Sequence, residues 1–440
     1  MSNRIQLRRG TAAAWASANP ILAQGEIGYI TDTGDTKTGD GVTAWTSLPS
    51  LSSTYVPKSL AKTGLFIPSD WGQFIYPALR AAKAGTGKAV IHFVGDSITQ
   101  GFYSSDLLLK SFVGLATTAM QSAYGDGGIG WFGVANSTLV AGTASYPANN
   151  SWALVGTWTL QTDATQYGGP GFCSIYSAAS LGTTQTATAT LRGTKLTIYY
   201  NQFSGGGTFT PIIDGVSQTA VSTNGANSLA SVSYTVAAGS HTLQLSIAPS
   251  QGNVIFYGAS GENSTGTVVN RFGRSGAQSS MVNNNATTYG TSAYWTGGPS
   301  YPADLVVYGM HVNDAGAGVT ADTFLGNLTT YLSVVRDASG TAPKNGKTDL
   351  IVLMPHVGKN DYSTPVSPSY FYRLRSLCEH YGAALVDVGA VYQNSYAQAA
   401  ANNYWSDGTS SGLPGTNTVH PGDAGNLAIW NLLKPLLTAA

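Results

Sequence analysis

The sequence predicts an α/β protein in which helices cover both faces of a parallel sheet, with an all-β segment inserted into it. Residues 90–94 (VIHFV) are a mainly apolar run typical of a buried strand, and a helical pattern follows around residues 111–124. The alternation of strands and helices then stops for a long stretch and resumes further along the chain. The resumed elements are expected, in order, at residues 268–270, 305–308, 321–337, 350–354, 367–381, 385–388 and 426–437.

The interruption, residues 145–258, predicts a β-sandwich. It is rich in Thr, Ser and Gly, and apolar and polar residues alternate at residues 186–192, 195–200, 232–236 and 241–247. Because α/β patterns lie on both sides, we interpret the sandwich as an insertion that separates residues 86–144 from residues 259–440 of one α/β domain. Its aromatic residues either pack in its core or form a sugar-binding platform. These residues are Trp152, Trp158, Tyr199 and Tyr200.

The composition excludes several classes of protein. Only 10% of the 440 residues are charged, against about 25% in an average soluble protein, and the formal net charge is zero. With 42% apolar residues the chain is not disordered, and without a run of Lys or Arg it lacks the electrostatic footprint of a nucleic-acid-binding protein. A neutral partner such as carbohydrate is therefore favoured. Cys173 and Cys378 have no metal-ligand spacing, so no metal site is expected.

The first 49 residues form a separate segment. The turn-rich run TDTGDTKTGDG at residues 31–41 predicts short strands separated by Asp-Gly turns. A segment of this size buries little surface, so we expect it to pack with copies of itself in an oligomer. Residues 50–85 are expected to be a linker and a leading helix, because the helix-start signal Ser69-Asp70-Trp71 follows Pro68.

This N-terminal segment resembles the N-terminal module of many phage tail-fibre and tail-tip proteins, including phage hyaluronidase-like proteins. The residues that carry the resemblance are Gly10-Thr11, Trp15, Gly25-Glu26-Ile27-Gly28, Gly39-Asp40-Gly41 and Ala44-Trp45. The resemblance implies attachment to other tail proteins through residues 1–49, a homotrimer, and a place in the virion tail. No stretch of about 18 apolar residues and no N-terminal apolar region occur, so we expect neither a membrane span nor a signal peptide. We therefore expect the protein to be made in the host cytoplasm.

A serine lies on a glycine-bounded turn directly after the first predicted strand, in the string GDSITQG that begins at Gly95. In a parallel sheet this turn is at the carboxyl edge, where open α/β folds bind their ligands. On position alone, Ser97 is either a nucleophile or the cap of the next helix. A serine hydroxyl is a weak nucleophile until a base takes its proton, and His420, between the last strand and the final helix, is expected at the same edge.

Four short blocks resemble those of the GDSL/SGNH hydrolase family, in the family's order. They are Gly95-Asp96-Ser97, residues 268–276 (VVNRFGRSG), residues 304–314 (DLVVYGMHVND) and residues 419–425 (VHPGDAG). The resemblance implies a three-layer SGNH-like fold, Ser97 as nucleophile and His420 as base. It also implies an oxyanion hole formed by the backbone N–H groups of Ser97 and Gly276 and the side-chain amide of Asn313. No metal or organic cofactor is implied.

Two positions depart from the family pattern. His311 stands where a glycine is expected in the third block, so its imidazole either borders the pocket or points into the core. Asn417 stands three residues before His420, where family members usually carry Asp. Its amide oxygen can orient an imidazole, but an amide cannot supply a carboxylate's charge. The site is therefore either a Ser-His dyad or a triad completed by another acid, for which Asp407 is the candidate.

These observations predict a serine hydrolase that acts on esters of a host cell-surface glycan during adsorption. A tail protein that keeps the hydrolase fold for glycan binding without catalysis is one alternative, consistent with the departures at His311 and Asn417. An esterase that acts on lipid esters of a waxy cell envelope is another alternative, because it would use the same Ser97 and His420 with a different pocket.

Overall fold

The computed structural model describes residues 8–32, 36–48, 65–69, 71–135, 137, 151–161, 170–177, 182–283, 301–336, 348–354, 368–392 and 395–438. The chain divides into two compact units, Met1–Phe66 and Ile67–Ala440. The division falls within the predicted linker at residues 50–85. The two units are described separately below.

In its described residues, the first unit contains a three-stranded sheet and one helix. Its elements are β1 (Arg8–Gly10), α1 (Ala12–Ala18), β2 (Ile27–Ile30), β3 (Thr36–Thr38) and β4 (Leu65–Phe66). The sheet order is β1-β2-β3, with β1 parallel and β3 antiparallel to β2. The strands were predicted from the turn pattern, whereas α1 was not. Thr11 caps α1 by accepting a hydrogen bond from the backbone N–H of Ala14.

Two tryptophans form the centre of this small unit. The rings of Trp15 and Trp45 stack with centroids 4.0 Å apart, and both side chains are buried together with Leu22. Gly28 lies against the same pair, and a Cβ there would come within 2.4 Å of the Trp45 ring. Glycine at position 28 therefore permits β2 to approach the stacked rings.

The second unit begins with an α/β region, continues through a β-rich region and returns to α/β. The first part contains α2 (Ile75–Lys83), β5 (Lys88–Gly95), α3 (Ser97–Gln100) and α4 (Phe112–Tyr124). The β-rich part contains β6 (Gly130–Gly133), β7 (Ala153–Val155), β8 (Trp158–Gln161), β9 (Ser174–Ser177), β10 (Gln185–Arg192), β11 (Lys195–Gln202), β12 (Thr208–Ile213), β13 (Val216–Ser217), β14 (Val221–Ser222), β15 (Ser228–Thr235), β16 (Ser240–Ile247) and β17 (Ile255–Glu262). A 3₁₀ turn, Pro170–Phe172, precedes β9.

The last part of the chain returns to alternating strands and helices. Its elements are β18 (Gly266–Gly273), α5 (Ser279–Asn283), β19 (Leu305–Gly309), α6 (Val312–Gly316), α7 (Ala321–Val335), β20 (Asp349–Met354), α8 (Pro368–Tyr381), β21 (Ala383–Asp387), α9 (Val388–Val391), α10 (Tyr396–Ala401) and α11 (Asp423–Leu437). The strands and long helices expected in this region all occur, with ends that differ by a few residues. The predicted helix ends at residues 337 and 367 lie outside the described residues.

The α/β parts share one parallel sheet in the order β18-β5-β19-β20-β21. Phe93 of β5 contacts Phe112 of α4, with ring centroids 5.8 Å apart. Tyr308 of β19 is one position on from the register partner of Phe93, and it contacts Tyr331 of α7 at 5.1 Å. Successive strand residues point to opposite faces, so α4 and α7 cover opposite faces and the sheet is the middle of three layers.

The β-rich part is a sandwich of two antiparallel sheets. In the described residues, one sheet has the order β13-β12-β16-β10-β7 with β14 beside β12, and the other has β15-β11-β17-β9-β8 with β6 beside β17. These strands run from Gly130 to Glu262, a wider range than the predicted 145–258. The apolar faces of both sheets enclose one core, which contains Trp152, Trp158 and Tyr200. These three aromatic residues therefore do not form an exposed sugar-binding platform.

Candidate active site

Three strands of the parallel sheet end in glycine at the same level. Gly95 of β5 is in register with Gly273 of β18 on one side and with Gly309 of β19 on the other. A Cβ on Gly95 would lie 2.0 Å from Thr99 Oγ1, and one on Gly273 would lie 2.3 Å from the backbone nitrogen of Gln100. These glycines allow α3 to pack directly on the strand ends. The first three predicted blocks therefore meet at one edge of the sheet.

Ser97 and His420 are brought together from opposite ends of this domain. Ser97 is the first residue of α3 and is 2% exposed, and its Oγ lies 2.8 Å from Nε2 of His420. Asp96 caps α3 by accepting a hydrogen bond from the backbone N–H of Ile98 at 2.9 Å. Burial raises the pKa of Asp96 to about 6, against hydrogen bonds from Ile98, His311 and Val312 that lower it. The Ser97–His420 distance is that of a nucleophile paired with its general base.

Two polar side chains of α11 bond the fourth block to the segment that follows α3. Both carboxylate oxygens of Asp423 accept hydrogen bonds from Ser105, at 2.9 Å from its backbone N–H and 2.6 Å from its hydroxyl. Asn426 accepts a hydrogen bond from the backbone N–H of Phe112 at 3.0 Å, and its amide nitrogen donates to the carbonyl of Pro421 at 3.1 Å. These bonds fix the loop that carries His420 over α3.

Two aromatic rings flank the imidazole of His420, and the sequence analysis did not identify them. The ring of Phe102 lies 4.9 Å from the imidazole and that of Tyr103 lies 5.3 Å away, edge to face. Tyr103 has a φ of 64°, an uncommon conformation for a residue other than glycine. The turn after α3 therefore places both rings against the imidazole of His420.

The loop that carries Gly276 is held by Gln100 at the end of α3. The fully buried side chain of Gln100 accepts a hydrogen bond from the backbone N–H of Ser275 at 2.7 Å and donates to the carbonyl of Ala135 at 2.9 Å. The backbone N–H of Arg274 donates to the carbonyl of Gly95 at 3.3 Å. Gly276 itself is exposed, and its φ of 79° is a left-handed conformation that favours glycine.

Asn313 and Asp314 connect this loop to the third block. The Asn313 amide nitrogen donates to the carbonyl of Ala277 at 2.9 Å, and a primary amide has a second N–H to offer. Asp314 accepts hydrogen bonds from the backbone N–H of Ser279 at 2.9 Å and from its hydroxyl at 2.5 Å. Burial raises the pKa of the Asp314 carboxyl, although the bonds from Ser279 lower it. Asn313 thus lies beside the segment that contains Gly276.

The two candidate orienting residues have other roles. The amide oxygen of Asn417 accepts the backbone N–H groups of Val419 at 2.9 Å and His420 at 2.7 Å, so it holds the backbone of the histidine and not its ring. The carboxylate of Asp407 is exposed and bonds to Thr409 and Ser411 of its own loop. Those bonds, from Ser411 first and then Thr409, lower the pKa of Asp407.

Asp407 is the candidate acid of a Ser-His-acid triad, and its hydrogen bonds in the structure are made elsewhere. In the part of the chain that the structure describes, the hydrogen bonds of Asp407 close its own loop and do not reach His420. The loop is tight because Gly415 packs on Asp407, where a Cβ would lie 2.1 Å from its Cα. An acid on such a self-contained turn is already satisfied by its neighbours.

The ring of His311 packs against α7. Its ring contacts Phe324 of α7 edge to face, with centroids 4.9 Å apart. Phe324 is 4% exposed. The sequence left open whether the His311 imidazole borders the pocket or points into the core, and the contact with Phe324 favours the core.

Metal-binding clusters and membrane-spanning helices are both absent from the described residues. No group of three or more His, Cys, Asp or Glu side chains is arranged to hold a metal ion within the described ranges. None of the helices in those ranges is both long enough and apolar enough to cross a membrane.

Comparisons with known proteins match two segments of this chain and the fold of one solved structure. Residues 235–428 match the GDSL-like Lipase/Acylhydrolase family, and residues 5–43 match the Major tropism determinant N-terminal domain. A solved structure of a peptidoglycan O-acetylesterase is similar to this chain with a TM-score of 0.56 and 17% identity, over 82% of this chain and 95% of the other. At that identity the likeness shows a common fold.

The N-terminal segment has a closer relative in sequence. It is 45% identical over 49 residues to a hyaluronoglucosaminidase of Streptococcus pyogenes phage H4489A. The match covers 11% of this chain and spans only 13% of the length of that relative. The chain therefore combines an N-terminal domain of the phage tail-fibre type with a hydrolase domain of the GDSL-like lipase/acylhydrolase family.

Proposed function

We propose that the protein is a phage tail-associated serine esterase that removes acyl groups from a host cell-surface glycan during adsorption. The observation that carries the proposal is the 2.8 Å separation of Ser97 Oγ and His420 Nε2 at the carboxyl edge of the sheet. A hydroxyl and an imidazole at that distance can exchange a proton while the hydroxyl oxygen attacks a carbonyl carbon.

The proposed mechanism has two halves. In the first, Ser97 Oγ attacks the ester carbonyl while Nε2 of His420 accepts its proton, and the tetrahedral intermediate then expels the sugar alkoxide, which takes that proton. In the second, His420 removes a proton from water and the hydroxide attacks the acyl-serine. The tetrahedral intermediate then releases a carboxylic acid, and Ser97 Oγ takes the proton back from His420. The negative oxygen of each intermediate would accept hydrogen bonds from the backbone N–H groups of Ser97 and Gly276 and from the Asn313 amide.

The position of the sandwich supports a polymeric substrate. Strand β17 pairs with β6 inside the sandwich and leads directly into β18, the strand whose end continues to Gly276. The inserted sheets also reach the nucleophile helix, because Gln100 of α3 donates to the carbonyl of Ala135, two residues after β6. The fold shared with a peptidoglycan O-acetylesterase makes an O-acetylated glycan the first substrate to test.

The test is hydrolysis of p-nitrophenyl acetate by the full chain. We expect release of p-nitrophenol by the wild type and a loss of at least 1,000-fold in kcat in Ser97→Ala, in line with the loss of a nucleophile. Ser231→Ala, which alters an exposed serine of β15, is the matched control and should keep wild-type activity. Equal rates in Ser97→Ala and wild type, with both folded by circular dichroism, would refute the nucleophile assignment.

The outcome also separates the alternative functions. Glycan binding without turnover of any ester would favour a receptor-binding protein that has lost catalysis. Faster cleavage of long-chain acyl esters than of acetate would favour a lipid esterase.

The attachment role rests on the N-terminal unit. We propose that residues 1–49 join the protein to other tail proteins and assemble it as a homotrimer in the virion tail. Light scattering after size exclusion should give three times the 45.5 kDa mass of one chain. A stable monomer would contradict the trimer.

A further inference from the structure

Arg274 lies inside the second block, between the end of β18 and Gly276. Its backbone N–H is fixed to the carbonyl of Gly95, the residue that ends the nucleophile strand. Its side chain reaches Met281 of α5, where Nη1 lies 3.4 Å from the sulfur atom. Its charge also acts on Cys173, whose thiol pKa burial raises to about 11 and the arginine lowers. The guanidinium therefore lies near Met281 and Cys173. In the sequence, Arg274 is two residues before Gly276, the proposed oxyanion donor.

The hydrogen bonding of this guanidinium is incomplete. Nε is buried without an acceptor among the described residues, and the only bond to Nη1 is with a thioether, a weak acceptor. The other buried or half-buried arginines in those residues all donate to oxygen. They are Arg192 to Asp126 and Gln121, Arg271 to Leu107, Arg336 to Tyr381, and Arg375 to Glu379.

An arginine that is partly buried without a carboxylate carries a desolvation cost that its neighbours do not offset. Only 10% of the residues of this chain are charged, so a cation at this place is not part of a general charged surface. The planar guanidinium presents several N–H donors in a fork that fits a carboxylate or a phosphate. Arg274 therefore has donors to offer an oxyanion, on a backbone that is hydrogen-bonded to Gly95 of the nucleophile strand.

We propose that Arg274 recognises an anionic group, a carboxylate or a phosphate, carried by the acylated glycan next to the ester that Ser97 attacks. The proposal rests on the esterase function above and narrows its substrate to acidic polymers. It also refines the expectation of a neutral partner, which came from the zero net charge of the chain. A chain without net charge can still carry one cation without a carboxylate partner in the loop that leads to Gly276.

The test measures binding, so that it does not depend on turnover. The full chain with Ser97→Ala is titrated by calorimetry at low ionic strength with oligogalacturonate, with the same oligomer fully methyl-esterified, and with glycerol phosphate oligomers. We expect at least one anionic oligomer to bind ten times or more tighter than the neutral one. Preference for oligogalacturonate would indicate a sugar acid, and preference for the glycerol phosphate oligomer would indicate a polyol phosphate.

Variants then assign the preference to Arg274. Arg274→Gln in the Ser97→Ala background should abolish the difference between anionic and neutral oligomers, and Arg274→Lys should restore part of it. The matched control is Arg373→Gln, an exposed arginine of α8 that pairs with Asp322 at 2.5 Å and should keep the full difference.

Equal or undetectable binding of charged and neutral oligomers, or a preference that persists in folded Arg274→Gln, would overturn the proposal. A wild type that prefers anionic oligomers but hydrolyses no ester would instead refute the esterase function and leave the anion site standing.

Discussion

Replacing Asn417 tests how His420, the proposed general base, is held in place. The amide oxygen accepts two backbone N–H groups, from Val419 at 2.9 Å and from His420 at 2.7 Å. Asn417→Ala removes both bonds, each of which contributes about 1 kcal/mol net, so the productive loop conformation loses about 2 kcal/mol. If all of this cost appears in the positioning of His420, kcat falls about thirtyfold.

The assay is p-nitrophenyl acetate hydrolysis together with thermal unfolding. Asn417→Asp should stay within a few fold of wild type, because a carboxylate can accept the same two N–H groups. Asn224→Ala is the matched control, since it removes an acceptor for the backbone N–H of Gly205, at 2.9 Å, within the sandwich and should leave kcat unchanged.

Two results would refute this reasoning. Unchanged kcat in Asn417→Ala would show that the two backbone bonds are not needed to place His420. A gain of more than tenfold in Asn417→Asp would show that a carboxylate at position 417 acts on the imidazole ring.

Two further predictions follow from the hydrogen bonds in the second unit. Gln100→Leu removes the buried hydrogen bonds that hold the loop carrying Gly276, so kcat should fall 10- to 100-fold with a smaller change in KM. A kcat within twofold of wild type would count against an anchoring role of Gln100. His241 bonds to Asp214 at 2.6 Å, which raises the pKa of His241 above 6.5, while the same bond lowers the pKa of Asp214 below 3.8. A raised histidine pKa stabilises the fold below about pH 6.5 and a lowered aspartate pKa stabilises it above about pH 4. His241→Gln should therefore lower the free energy of unfolding, measured with urea, most near pH 5. The loss should shrink as the pH rises through the pKa of His241 in the folded protein. A loss that does not vary with pH would contradict this.

The sequence predicted the parallel sheet and the Ser97–His420 pair because their signals are local. The apolar run before GDSITQG marks the central strand, and each block follows a strand or precedes a helix whose pattern is visible on its own. The edge of a parallel sheet then brings the blocks together without further information.

The contacts that hold the site depend on distant parts of the chain. Gln100 anchors Ser275 across 175 residues, and Asp423 holds Ser105 across 318, and no local pattern marks either pair. The role of Asn417 is different, because an Asn that caps the backbone two and three residues on is a common local turn. That pattern was available in the sequence and would have placed the amide on the backbone of His420.

The most direct test of the central claim is covalent labelling of the nucleophile. The full chain is treated with diisopropyl fluorophosphate, and the modified peptide is identified by mass spectrometry. The geometry of Ser97 and His420 predicts one adduct, on Ser97, formed at least 100 times more slowly in His420→Ala. An adduct on another residue, or equal labelling rates of Ser97 with and without the histidine, would contradict the assignment of this pair as nucleophile and base.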